Sequence, residues 1–164
     1  TALALAAHGK CPLVVVRGTA VPDGPIVVGV DGSPTSEAAI AFAFEAASRR
    51  GVPLIAAMAY QDFVVEGGYQ SSRIVFDWAE VEADERRLLA ERLAGREEKH
   101  PEVKVERVVL WDRAAPALLG LAARAQLLVV GSHGRGGFAG MLLGSTSRTL
   151  VYHSPCPLAI VRPS

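Results

Sequence analysis

The chain reads as an α/β domain: a five-stranded, mostly parallel open sheet with helices on both faces, plus one extra strand at the N-terminus. Three observations predict it. From residue 26 onward, short β-branched runs alternate with longer stretches of helical period, the order that lays helices over both faces of a parallel sheet. With 164 residues, 50% apolar and 21% charged, the chain is long and apolar enough for one real core. A ten-residue segment near the start returns near the end at the spacing of a whole domain.

That repeat comes first in chain order. His8-Gly9-Lys10-Cys11-Pro12-Leu13-Val14-Val15-Val16-Arg17 lines up with His153-Ser154-Pro155-Cys156-Pro157-Leu158-Ala159-Ile160-Val161-Arg162 at a constant offset of 145 residues. Residues 1–18 therefore read as the remnant, the last strand, of a preceding homologous domain. Residues 19–25, with Pro22, Gly24 and Pro25, read as a linker, and residues 26–164 as the second domain of a tandem chain. A chance likeness between two short Cys-Pro-apolar-Arg segments is the alternative.

Ile26 to Val30 is a buried strand that Asp31-Gly32-Ser33-Pro34 turns into a helix, with Ser33 as N-cap and Pro34 at the first helical position. Ile40, Phe44 and Ala47 fall at helical spacing, and Gly51 stops that helix. Leu54 to Tyr60 is the second strand of the domain, and residues 61–75 are irregular. An amphipathic helix runs from Asp77 to Glu98 with Trp78, Val81, Leu89 and Leu93 on one face. Val103 to Leu110 is the third strand, and Asp112 caps a helix carrying Leu118, Leu121, Ala122 and Ala125. Leu127 to Val130 is the fourth strand, Ser145 to His153 a short helix, and Leu158 to Val161 the fifth strand.

Composition excludes several functions. Seventeen Lys and Arg balance seventeen Asp and Glu, so no bulk positive field gathers nucleic acid or an anionic membrane. The apolar stretches, such as Ala38 to Phe44, fall far short of the roughly 18 residues that span a bilayer. Residues 1–18 lack the pattern of a signal peptide. Two cysteines, Cys11 and Cys156, make neither a disulfide framework nor a metal site, and a reducing cytoplasm is the expected location.

The strongest chemical signal is Gly131 to Ser147, where five glycines occur in the ten residues 131–140 between the end of a strand and the start of a helix. Glycine admits close backbone approach to a ligand, and the free N–H groups of a helix start favour an anion. Hydroxyls of Ser145, Thr146 and Ser147 add donors, and Arg135 supplies charge. No Walker ending is present, and the glycines follow the fourth strand rather than the first, so neither common nucleotide fingerprint applies.

Gly131, two residues, Gly134, nine residues, Gly144 and Ser145 reproduce the G-2x-G-9x-G-(S/T) spacing, and residues 26–162 resemble the ATP-binding universal stress proteins, in particular the second domain of tandem members. The resemblance implies a Rossmann-like fold of the adenine nucleotide α-hydrolase type, with ATP and Mg²⁺ as ligands. Residue by residue, it implies that Asp31 lies beside the ribose or the phosphate-bound metal and that Ala59 offers backbone to the adenine. Val130 would line the pocket, Gly131 and Gly134 would wrap the ribose and phosphates, and Gly144, Ser145 and Ser147 would hold the phosphate tail. Thr146 stands where some members carry Val. The resemblance further implies a homo- or pseudo-dimer in which Pro12 to Val16 pairs antiparallel with Leu158 to Val161, holding Cys11 and Cys156 at opposite ends of the ladder.

Bland readings accompany these. Asp31 alone would be a turn and cap residue, His133 a solvated loop histidine, and no Gly-x-Ser-x-Gly elbow or paired base marks a catalytic serine. No residue is assigned a catalytic role. The expected function is a nucleotide-dependent regulatory module in stress response; a slow ATPase or phosphotransferase, and a dimerisation module that binds no nucleotide, are the alternatives.

Overall fold

The computed structural model describes residues 2–61, 77–135 and 142–163. In chain order these form α1 (Ala2–His8), β1 (Leu13–Val15), β2 (Ile26–Gly29), α2 (Pro34–Arg50), β3 (Leu54–Ala59), α3 (Trp78–Lys99), β4 (Val105–Leu110), α4 (Ala114–Ala122), β5 (Leu127–Gly131), α5 (Ser145–His153) and β6 (Leu158–Val161). One six-stranded sheet results, ordered β1-β6-β5-β2-β3-β4. Strands β2 to β6 pair in parallel and β1 pairs antiparallel with β6. The expected irregular stretch beyond Gln61, and Gly136, Gly137 and Gly140 of the glycine-rich segment, lie outside the described residues.

The strands read as unbroken apolar runs because both faces of the sheet are covered. Successive side chains alternate between the faces. Ile26, Val28, Leu54, Ala56, Met58, Leu127 and Val129 point to the side where Ile40, Ala43, Phe44 and Ala47 of α2 and Leu89 and Leu93 of α3 complete one core. Val27, Ile55, Ala57, Leu128, Val130, Leu158 and Ile160 point to the other, closed by Leu118 and Ala122 of α4, Leu150 and Val151 of α5 and Ala6 of α1.

Local chemistry sets the helix ends. The Ser33 hydroxyl accepts from the Ser36 N–H at 3.2 Å and Pro34 opens α2, as the turn sequence predicts. Gly51 ends it in the left-handed region at φ 64°, a conformation that costs a side-chain-bearing residue about 1 kcal/mol or more. At α3 the Asp77 carboxylate accepts from the Ala79 and Glu80 N–H groups. Two expectations need correction. Asp112 does not cap α4: Arg113 occupies the N-cap position without a side-chain cap, and the Asp112 carboxylate instead accepts from the Arg113 N–H at 2.7 Å. Trp78 does not enter the core with Leu89 and Leu93; it is 46% exposed and packs edge-on against Trp111 with ring centroids 4.5 Å apart.

The N-terminal segment is more than a strand, because α1 precedes it. Under the 145-residue offset α1 corresponds to α5, Leu13 to Leu158 and Val15 to Ile160. In the ladder Leu13 faces Ile160, Val15 faces Leu158, and Val14 faces its own counterpart Ala159. Equivalent residues thus exchange places, which is the signature of a two-fold axis. Side chains repeat the exchange: Arg17 Nη1 donates to the Val151 carbonyl at 2.8 Å, and its counterpart Arg162 donates through Nη2 to the carbonyl of Ala6, the counterpart of Val151, at 2.6 Å. Residues 19–25 are stitched to the sheet domain, with Thr19 N–H donating to Pro155 O and Val21 N–H to Ala125 O.

Candidate functional site

From β2 the chain moves outward through β3 to β4, then crosses back to β5 and β6. The strand order therefore reverses between β2 and β5, and in open parallel sheets a ligand crevice forms beyond the carboxyl ends at such a point. A cleft of about 600 Å³ opens there. Its floor is the ends of β2, β3 and β5, one wall is the start of α4, and the other is the first turn of α5.

Asp31, just past β2, organises the floor. Its Oδ1 accepts from the Ser33 N–H at 2.8 Å and its Oδ2 from the Arg135 N–H at 3.1 Å, so one carboxylate ties the β2 turn to the segment after β5. The Ser36 hydroxyl accepts from the Asp31 N–H at 3.2 Å. The start of α2 reinforces the bridge, because the Thr35 hydroxyl donates to the His133 carbonyl. Gly131 permits this closeness: a Cβ there would stand 2.8 Å from the Thr35 carbonyl carbon. Further on, the Gly144 N–H donates to the Ser132 carbonyl at 2.8 Å, pinching the glycine-rich segment at its base and delivering the start of α5 to the cleft.

Gly144 is the N-cap of α5 and offers no side-chain cap. Gly144, Ser145, Thr146 and Ser147 at this helix start line the cleft, and a helix start carries the positive partial charge that favours an anion. Arg113 and Arg135 also line it, and Asp31 is the single acidic side chain among the described lining residues. That donor set fits a phosphate chain. One carboxylate beside phosphates is also how Mg²⁺ is commonly held. Outside the lining, Glu85 of α3 has a carboxyl held above its ordinary value by burial, with the attraction of Arg135 working against that rise and Asp84 adding to it.

All ten residues singled out from the sequence, Asp31, Ala59, Val130, Gly131, Gly134, Arg135, Gly144, Ser145, Thr146 and Ser147, line this one cleft. Their tasks in the fold differ. The Ser147 side chain is buried and its hydroxyl donates to the Gly131 carbonyl at 2.8 Å, so it fastens α5 to β5. Sequence reasoning did not pick out Thr35, Ser36, Arg113 or the α4 wall from Ala114 to Leu119. Arg113 carried a usable signal, since it follows a strand end as Asp31 and Gly134 do.

Comparison with known proteins gives a consistent result. The family model described as "Universal stress protein family" matches residues 24–162. A universal stress protein of Mycobacterium tuberculosis (strain H37Rv) is 44% identical over 162 residues, covering 96% of this chain and 51% of that protein. One from Mycolicibacterium smegmatis is 47% identical over 169 residues, covering 99% of this chain and 55% of that protein. The chain thus spans about half the length of the curated relatives it matches. Among solved structures, a universal stress protein in complex with cAMP superposes with a TM-score of 0.58 at 26% identity, covering 84% of this chain and 95% of that one.

Proposed function

The chain belongs to the universal stress protein family, and from that premise we propose that its cleft binds ATP with Mg²⁺ and that the domain acts as a nucleotide-dependent regulatory module. One observation carries the reading: the uncapped start of α5, the Gly131 to Gly134 backbone, Asp31 and two arginines converge on a single cleft at the strand-order reversal. The adenine would lie toward Ala59 and Val130 and the phosphates toward Gly144 and Ser145. Mg²⁺, when bound, would neutralise phosphate charge beside Asp31. Asp31 already accepts two backbone N–H bonds, so it orients rather than abstracts a proton, and the reading is binding without fast turnover. Residues 1–18 are, on the same reading, the closing helix and strand of a preceding homologous domain, and the reciprocal pairing about Val14 and Ala159 supports it.

The test is to denature the purified chain and identify any released nucleotide by chromatography and mass, then titrate the stripped protein with ATP–Mg²⁺, cAMP and dAMP by calorimetry. ATP recovered or bound tightest supports the proposal. A preference for a monophosphate, or no binding at all, removes it.

A further inference from the structure

Arg162 joins two parts of the molecule that would otherwise be independent. The two hydrogens of its Nη2 are shared among the carbonyls of Ala6 at 2.6 Å and Ala7 at 2.5 Å, in the last turn of α1, and the carbonyl of Leu142 at 2.7 Å. The α1 carbonyls are among those a helix C-terminus leaves without intrahelical partners, where a cation is favoured. Leu142 stands two residues before Gly144, the N-cap of α5 at the cleft. Between them Leu143 is buried in the same apolar cluster as Ala6, Leu150 and Val151. The two-fold counterpart Arg17 bonds Val151 and, among the described residues, makes no hydrogen bond to residues 142–147.

We propose that Arg162 is a positioning residue that couples ligand binding in the cleft to the docking of α1, so that an adenine nucleotide and the α1–β1 segment stabilise each other. The inference rests on the nucleotide reading of the cleft. A ligand seated on the start of α5 fixes the approach to Gly144, and hence the Leu142 carbonyl. That acceptor holds the guanidinium where it also meets Ala6 and Ala7. Linkage makes the effect reciprocal: whatever factor the nucleotide adds to α1 docking, α1 adds to nucleotide affinity.

Hydrogen exchange of residues 2–8 in the intact chain, with and without saturating ATP–Mg²⁺, tests the coupling, alongside ATP affinity by calorimetry in the wild type, Arg162→Met, Arg162→Lys and Arg17→Met. The expected result is slowing of α1 exchange by about five-fold or more in the wild type and in Arg17→Met. In Arg162→Met the slowing disappears and ATP affinity falls by about the same factor, with Lys restoring part of both. ATP binding that leaves α1 exchange unchanged in the wild type, or an undiminished response in Arg162→Met, overturns the coupling and leaves the cleft reading standing. Absence of ATP binding to the wild type overturns both. If Arg162→Met does not fold, Arg162→Lys takes its place, and a response there equal to that of the wild type overturns the role of Arg162.

Discussion

Glycine at 131 and at 144 serves different ends, and substitution separates them. A Cβ on Gly131 would meet Thr35 Oγ1 at 2.6 Å and Thr35 backbone at 2.8 Å, whereas one on Gly144 would find its nearest neighbour, the His133 Cα, at 3.4 Å. Gly131→Ala should therefore destabilise the fold by about 1–3 kcal/mol through overpacking, seen as a lowered thermal midpoint, while Gly144→Ala melts close to the wild type. Equal melting of the two variants would show that Thr35 yields freely. Glu85 supplies a pH signature at the same scale. Its folded-state pKa is raised, chiefly by burial, so the native state holds that proton more tightly than the unfolded chain. The associated stability is present below the ordinary value of 4.5 and is lost as pH rises through the folded value. Glu85→Gln should thus be the more stable protein at pH 7, by less than about 1 kcal/mol because the group is partly solvated, with the difference vanishing near pH 4. Thermal melts of both proteins across that range check it.

Among the elements, those specified by local chemistry were readable from sequence. Ser33-Pro34 and Gly51 bracket α2, and α5 and β6 fall where residues 145–153 and 158–161 suggest. What sequence did not reveal depends on contacts between distant elements. Asp112 looks like a cap, but its carbonyl accepts from the Gln61 N–H and its carboxylate from Arg113, which hands the N-cap position to Arg113. Trp78 follows the apolar period of α3 yet stays exposed and packs against Trp111, a residue distant in sequence. Helix α1 was missed because only Leu5 and His8 match their counterparts Leu150 and His153 in residues 2–8; the two-fold packing, not the local sequence, relates it to α5. The residues that line the cleft were nameable from the glycine spacing and the family resemblance it carries, while the α4 wall enters only through the crossover. A cap prediction belongs here too. Ser33→Ala removes the acceptor for the Ser36 N–H and should cost about 1 kcal/mol, a fall of roughly 2–4 °C in the melting midpoint, with α2 helicity otherwise retained.

For the whole molecule, β1 covers the β6 edge that would otherwise be open. Deleting residues 1–18 removes the ladder from Leu13↔Ile160 to Val15↔Leu158 and the Arg162 contacts with α1, leaving unpaired N–H and C=O groups on a fully buried, apolar strand. The truncated protein should self-associate, eluting at more than monomer mass or precipitating, whereas a monomer of unchanged solubility would show that the edge is harmless. Oxidation distinguishes the arrangement independently. Cys11 is exposed and Cys156 buried, and the antiparallel register sends them to opposite ends of β1 and β6, about 20 Å apart at roughly 3.4 Å per residue. Mild oxidant should leave the monomer without an internal bridge, read by mass after alkylation.

The pairing of Val14 with Ala159 has a consequence for how such a contact can change. In an association of two identical chains, the residue on the symmetry axis meets its own copy, so any substitution is made twice and in mutual contact. When both halves lie on one polypeptide, each side of the axis mutates alone, and a larger side chain can settle against a smaller one. Val against Ala is a combination that a strictly symmetric pair is unable to reach. A chain with Val14→Ala should consequently hold its first strand less firmly than the wild type, seen as faster hydrogen exchange across residues 13–15.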